Sequence, residues 1–69
     1  KQFMTNDQIE LTVRYHPSGR YTLMQKVGRD TTDVCISDDK GDFYQMVSHK
    51  LCELANQGIA FSFTDSASN

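Results

Sequence analysis

The chain has 69 residues, 38% of them hydrophobic, and seven Lys plus Arg against nine Asp plus Glu give a formal net charge of −2. That bounds it to one domain near the lower size at which a single core outweighs chain entropy. The balance lacks the cation excess that phosphate backbones reward and is too weakly acidic to mimic the charge density of DNA.

Residues 1–7 are polar apart from Phe3 and Met4 and read as a lead-in. Ile9, Leu11, Val13 and Tyr15 then alternate with Glu10, Thr12, Arg14 and His16, which predicts a first strand with one buried face. His16-Pro17-Ser18-Gly19 is a turn, because Pro presets the second position and Gly tolerates positive φ at the fourth. The next strand, over 20–27, sends Tyr21, Leu23 and Val27 to the core face and Arg20, Thr22, Met24 and Lys26 to the other. Gly28-Arg29-Asp30 turns the chain again, and residues 32–36, rich in β-branched side chains, form a third strand with Val34 and Ile36 inward and Cys35 outward.

Near Asp42 the apolar period changes from two to a helical one. Asp42 has the character of an N-cap with Gln45 as its reciprocal partner, so the acidic run before it has a structural use. On a wheel of ~100° per residue, Phe43, Val47, Leu51 and Leu54 form one stripe, which predicts a helix over 43–57 packed on the sheet. Gly58 suits a left-handed cap, with Ile59 placed to touch Leu54. Ile59, Phe61 and Phe63 alternate again as a last strand, and residues 65–69 have the composition of a polar, disordered tail.

The expectation is an α+β fold, β-β-β-α-β, with one helix packed on one face of a mainly antiparallel four-stranded sheet. Residues 1–64 make a single small domain. A helical return makes the last strand parallel to the first, and the simplest placement beside it gives the order 3-2-1-4.

No motif supports catalysis. His49 and Cys52 are the only nucleophile and base with plausible helical spacing, and neither has a visible cleft, so the chain is not expected to be an enzyme. A calcium loop built on Gly41 would put Ile36 and Lys40 at ligand positions, which rules it out. His16, His49, Cys35 and Cys52 sit on separate elements without metal-ligand spacing, so no metal or cofactor is expected. Cys35 and Cys52 are expected on opposite sides of the sheet, too far to bridge. Two free thiols suit a reducing compartment, and no charged-then-apolar leader or ~20-residue apolar run appears, so the expected place is the cytoplasm, away from membranes.

The sheet face without a helix carries the remaining signal. Arg14, Arg20, Met24 and Lys26 share it with Thr12 and Thr22 and are the expected binding residues. A non-enzymatic protein-binding module, acting as an inhibitor, adaptor or regulator, is the favoured reading. A nucleic-acid-binding domain using the open face, through Arg14, Arg20 and Lys26, ranks second. Because one helix leaves half the sheet bare, a homodimer through that face or a strand edge is expected too, with Glu10 or Asp33 facing the cations across a two-fold axis.

Overall fold

The two period changes read from the sequence mark real boundaries. A computed structural model describes residues 8–67, in the order β1 (Ile9–His16), β2 (Arg20–Val27), β3 (Asp30–Ser37), α1 (Lys40–Asn56) and β4 (Phe61–Asp65). The expected lead-in 1–7 lies outside the described residues, as do Ser68 and Asn69. The sheet order is β3-β2-β1-β4, with β4 parallel to β1 and the other pairs antiparallel, so the expected α+β class, topology and strand order hold.

The first hairpin closes as its turn residues require. Gly19, at φ 101°, donates its backbone N–H to the His16 carbonyl at 2.8 Å. His16 Nδ1 also accepts the Ser18 N–H at 3.1 Å, so the side chain at the first turn position braces the loop. The pairing that follows sets Tyr15 against Tyr21, with ring centroids 4.8 Å apart. Tyr21 continues to Phe43 at 5.4 Å, and Phe43 meets Tyr44 edge-on at 5.2 Å, which ties the hairpin end to the start of the helix.

The β2–β3 pairing departs from simple alternation. Leu23 faces Cys35 but Met24 faces Asp33, so Val34 is an extra residue on β3. A one-residue bulge inverts the faces of everything beyond it. Cys35, expected on the open side, therefore turns toward the helix and packs against the core. Ile36, expected inward, lies beside Thr22 on the open face and is 53% exposed. Val34 keeps its expected contact with the core.

The helix starts three residues earlier than its apolar stripe suggests. Its N-cap is Asp39, not Asp42: the backbone at Asp39 is extended, and its side chain accepts the Asp42 N–H at 2.9 Å. Ser37 Oγ in turn accepts the Asp39 N–H at 3.0 Å, fixing the cap before the first turn. Several nearby aspartates suit the same capping chemistry, and Asp39 is the one whose backbone Ser37, two residues before it, anchors. At the other end Gly58, at φ 71°, donates to Ala55 O at 3.1 Å, and Ile59 donates to Leu54 O at 3.0 Å. Those two bonds are the Schellman closure that the Gly-Ile pair predicted.

Leu11, Val13, Leu23, Phe43, Val47 and Leu54 form the buried core. Leu51 and Phe61, expected at its centre, are only half-buried, and Phe63 is 38% exposed. The reason is placement: α1 runs closest to β3 and β2, which leaves β4 under its far margin. Phe61 still packs against this core, and a polar contact adds to its hold on β4. Tyr44 Oη donates to Asp65 Oδ2 at 2.8 Å, while Asp65 Oδ1 accepts the Ala67 N–H at 2.9 Å. Asp65, read from composition as the start of a tail, ends β4, and Ser66 N–H donates to Val13 O at 3.1 Å.

This burial pattern ranks the core substitutions. Leu23→Ala is expected to cost ~2–5 kcal/mol through lost burial and a residual cavity, and Leu51→Ala less, since part of its side chain already meets water. Urea unfolding of both variants checks the order. The Tyr44 bond has its own signature. Burial, then the hydrogen bond to Asp65, push the Tyr44 phenol up from 10 to about 12. Below pH 10 the phenol keeps its proton in both states and the contribution is intact. As pH rises from 10 toward 12 the unfolded chain loses its proton first, so this part of the stability falls. Phenolate absorbance should show one late tyrosine, and Asp65→Asn should bring its titration to lower pH.

Candidate binding face

The open face is built by the residues of β1 and β2 that point away from the core. Cross-strand partners there are Glu10 with Lys26, Thr12 with Met24, Arg14 with Thr22 and His16 with Arg20. On β3 the face continues with Thr31 beside Lys26, Asp33 beside Met24 and Ile36 beside Thr22. Arg14 reaches diagonally over the hairpin, with Nη1 3.9 Å from Met24 Sδ.

Two shallow depressions lie along this face. One, of about 340 Å³, is lined by Arg14, Tyr15, His16, Thr22, Met24 and Asp33. The other, of about 160 Å³, lies among Glu10, Thr12, Arg14, Met24, Lys26 and Thr31. Arg14 and Met24 border both, so they stand at the centre of the face.

Of the four residues expected to bind, Arg14, Met24 and Lys26 come together. Arg20 does not: it lies at the corner of the sheet, with Nε 3.8 Å from Asp38 Oδ1 in an exposed ion pair. Such pairs contribute little to stability, but this one draws the guanidinium toward the β3–α1 loop. Asp33, expected to face the cations across a two-fold axis, lies beside Met24 within the same chain, and Ile36 was not expected on this face at all. Ile36 reaches it only through the bulge, which leaves no mark in residue type.

The helix side has a wider groove, of about 590 Å³, between β3 and α1, lined by Cys35, Ser37, Asp42, Gln45, Met46 and His49. It brings a thiol and an imidazole to one groove, but burial pushes the Cys35 thiol up, with Lys50 opposing only in part. A raised thiol is a poor nucleophile at neutral pH. Among the described residues no group of three or more His, Cys, Asp or Glu is placed to hold a metal ion. No described helix is long and apolar enough to cross a membrane.

The fold and face define a small α+β domain with one bare side. The chain matches no protein-family model, no curated protein and no solved structure.

The two cysteines make the register testable. Cys52 is exposed on the helix and Cys35 is half-buried beneath it. In the native protein a disulfide-exchange reagent at neutral pH should label one thiol fast and one slowly. Cys52→Ser should remove the fast phase and leave the slow one. Equal rates would mean that Cys35 lies on the open side.

Proposed function

We propose that this chain is a non-enzymatic protein-binding module whose open sheet face meets an acidic partner surface, in the manner of a small inhibitor, adaptor or regulator. The observation that carries the reading is the centre of that face. A half-buried, adaptable Met24 lies under the Arg14 guanidinium, with Lys26, Glu10 and Asp33 around them. Protein interfaces concentrate affinity in such arrangements, where Arg and an apolar anchor are surrounded by polar groups that exclude water.

Arg14 and Lys26 lie at the centre of the face with Glu10 and Asp33, and Arg20 sits at its corner against Asp38, so the face is charge-balanced in a chain whose net charge is −2. Its cations are the groups that an acidic partner surface would meet there.

A nucleic-acid interface is the second reading, favoured by the same cations. The carboxylates of Glu10 and Asp33 interrupt the positive surface, and Asp38 engages Arg20. The clustered aromatic rings, which stack on bases in single-strand binders, belong to the helix side through Tyr21, Phe43 and Tyr44. The protein reading accounts for more of the face.

Affinity capture from lysate at low and high salt, run beside anisotropy titrations with labelled duplex and single strand, separates the two. A protein partner should be retained by the native chain. Met24→Ala and Arg14→Ala should each cost about 2 kcal/mol, roughly thirtyfold in Kd. Tight duplex binding that falls steeply with salt and is abolished by Arg14→Ala would overturn the reading in favour of nucleic acid.

A further inference from the structure

The extra residue in β3 sets a thiol beside helix α1. Without it Cys35 would stand on the open face, as strand alternation predicts. With it Cys35 lines the groove of about 590 Å³ between β3 and α1, together with Ser37, Asp42, Gln45, Met46 and His49. Lys50, next to His49 in the chain, acts electrostatically on the thiol. Cys35 therefore lies alongside the helical turn that runs from Met46 to Lys50.

Met46 and His49 stand at i and i+3 on α1, which sets their Cβ atoms about 5–6 Å apart on one side of the helix. Both are exposed, and Cys35 is half-buried at the wall of the same groove. A thiol, a thioether and an imidazole thus border one opening. Cys35 is a free cysteine, and no hydrogen bond among the described residues occupies its sulfur or the His49 ring.

We propose that this groove binds a soft monovalent metal ion, copper(I), through Cys35 Sγ, Met46 Sδ and a ring nitrogen of His49. The Cys35 thiol releases its proton to solvent as the sulfur–copper bond forms, and His49 binds as the neutral imidazole. The thioether adds a third donor and exchanges no proton. The ion enters as copper(I) and remains so, and no electron is transferred. One thiolate then balances one positive charge, so the occupied site is neutral.

The donor set discriminates between metals. Thiolate and thioether ligands favour copper(I), whereas carboxylates suit hard ions. Asp42 lines the groove as well, yet among the described residues no three His, Cys, Asp or Glu are placed to hold a metal. The thiolate, imidazole and carboxylate set that zinc would take is therefore not assembled, and the third donor beside Cys35 and His49 is the sulfur of Met46. Charge points the same way, because a divalent ion would keep a net positive charge beside the Lys50 ammonium. The exposed positions of Met46 and His49 give the ion a path of entry.

The test is titration of the native chain with copper(I), kept reduced by ascorbate and opposed by the chromophoric chelator bicinchoninate, with every variant checked for folding by circular dichroism. The native chain should draw a single equivalent of copper from the chelator and show ultraviolet thiolate-to-copper charge-transfer absorbance. Cys35→Ser should remove both. Met46→Leu and His49→Gln, at exposed positions that leave the core intact, should each weaken binding about tenfold or more. Cys52→Ser should bind as the native chain does, and in that variant copper(I) should close the remaining thiol to a disulfide-exchange reagent. A native chain that leaves all copper with the chelator would overturn the proposal. Binding that is lost in Cys52→Ser and kept in Cys35→Ser, or that Met46→Leu and His49→Gln both leave unchanged, would overturn it as well. So would zinc(II) that protects Cys35 from the reagent as fully as copper(I) does.

Discussion

Everything in this structure follows from one helix having to cover a four-stranded sheet. The chain affords one amphipathic helix, and its buried positions, Phe43, Val47 and Leu54, meet Leu11, Val13 and Leu23 in the core of the described residues. A helix is about 10 Å wide and strands are spaced about 4.8 Å apart, so it spans about two strands and covers poorly whichever strand lies farthest from it. The helix lies nearest β2 and β3. The open face and the under-covered β4 are both consequences of that choice, which makes them properties of the fold rather than local defects.

The position of the helix is in turn set by its ends. Asp39, held by Ser37, starts the helix directly after β3, so α1 leaves the sheet over the strand it has just completed. The Gly58–Ile59 closure redirects the chain after Asn56, and only Ala60 separates Ile59 from β4. Ile9 N–H donates to the Ala60 carbonyl at 3.3 Å, so β4 joins β1 at once and the crossover from β3 is completed with little loop. The bond from Tyr44 to Asp65 then spans the distance between helix and β4 that apolar packing does not fill.

Sequence pattern revealed most of this frame and failed at identifiable places. The strands and helix were legible because β1 and the helix carry clear apolar periods, β2 keeps one apart from Gln25, and turn chemistry bounds them, as at His16–Gly19 and Gly58. The N-cap was ambiguous because Asp38, Asp39 and Asp42 all suit it, and only the Ser37 contact selects among them. The β3 bulge was invisible, since Val34, Cys35 and Ile36 are apolar enough to face either way. That single extra residue moved Cys35 to the helix side and Ile36 to the open face. Arg14, Met24 and Lys26 were placed together correctly, because β1 and β2 pair without irregularity from Ile9–Val27 to His16–Arg20. Arg20 escaped the face through Asp38, a loop residue whose position no periodicity fixes.

A core of this size also links binding to folding. A ligand that binds only the folded state adds stability of RT ln(1 + [L]/Kd), about 2.7 kcal/mol when it is present at a hundred times Kd. That is comparable to the ~2–5 kcal/mol lost when a buried leucine is truncated. Where the described residues bury six hydrophobic side chains, occupancy of an uncovered surface therefore matters as much as any one of them.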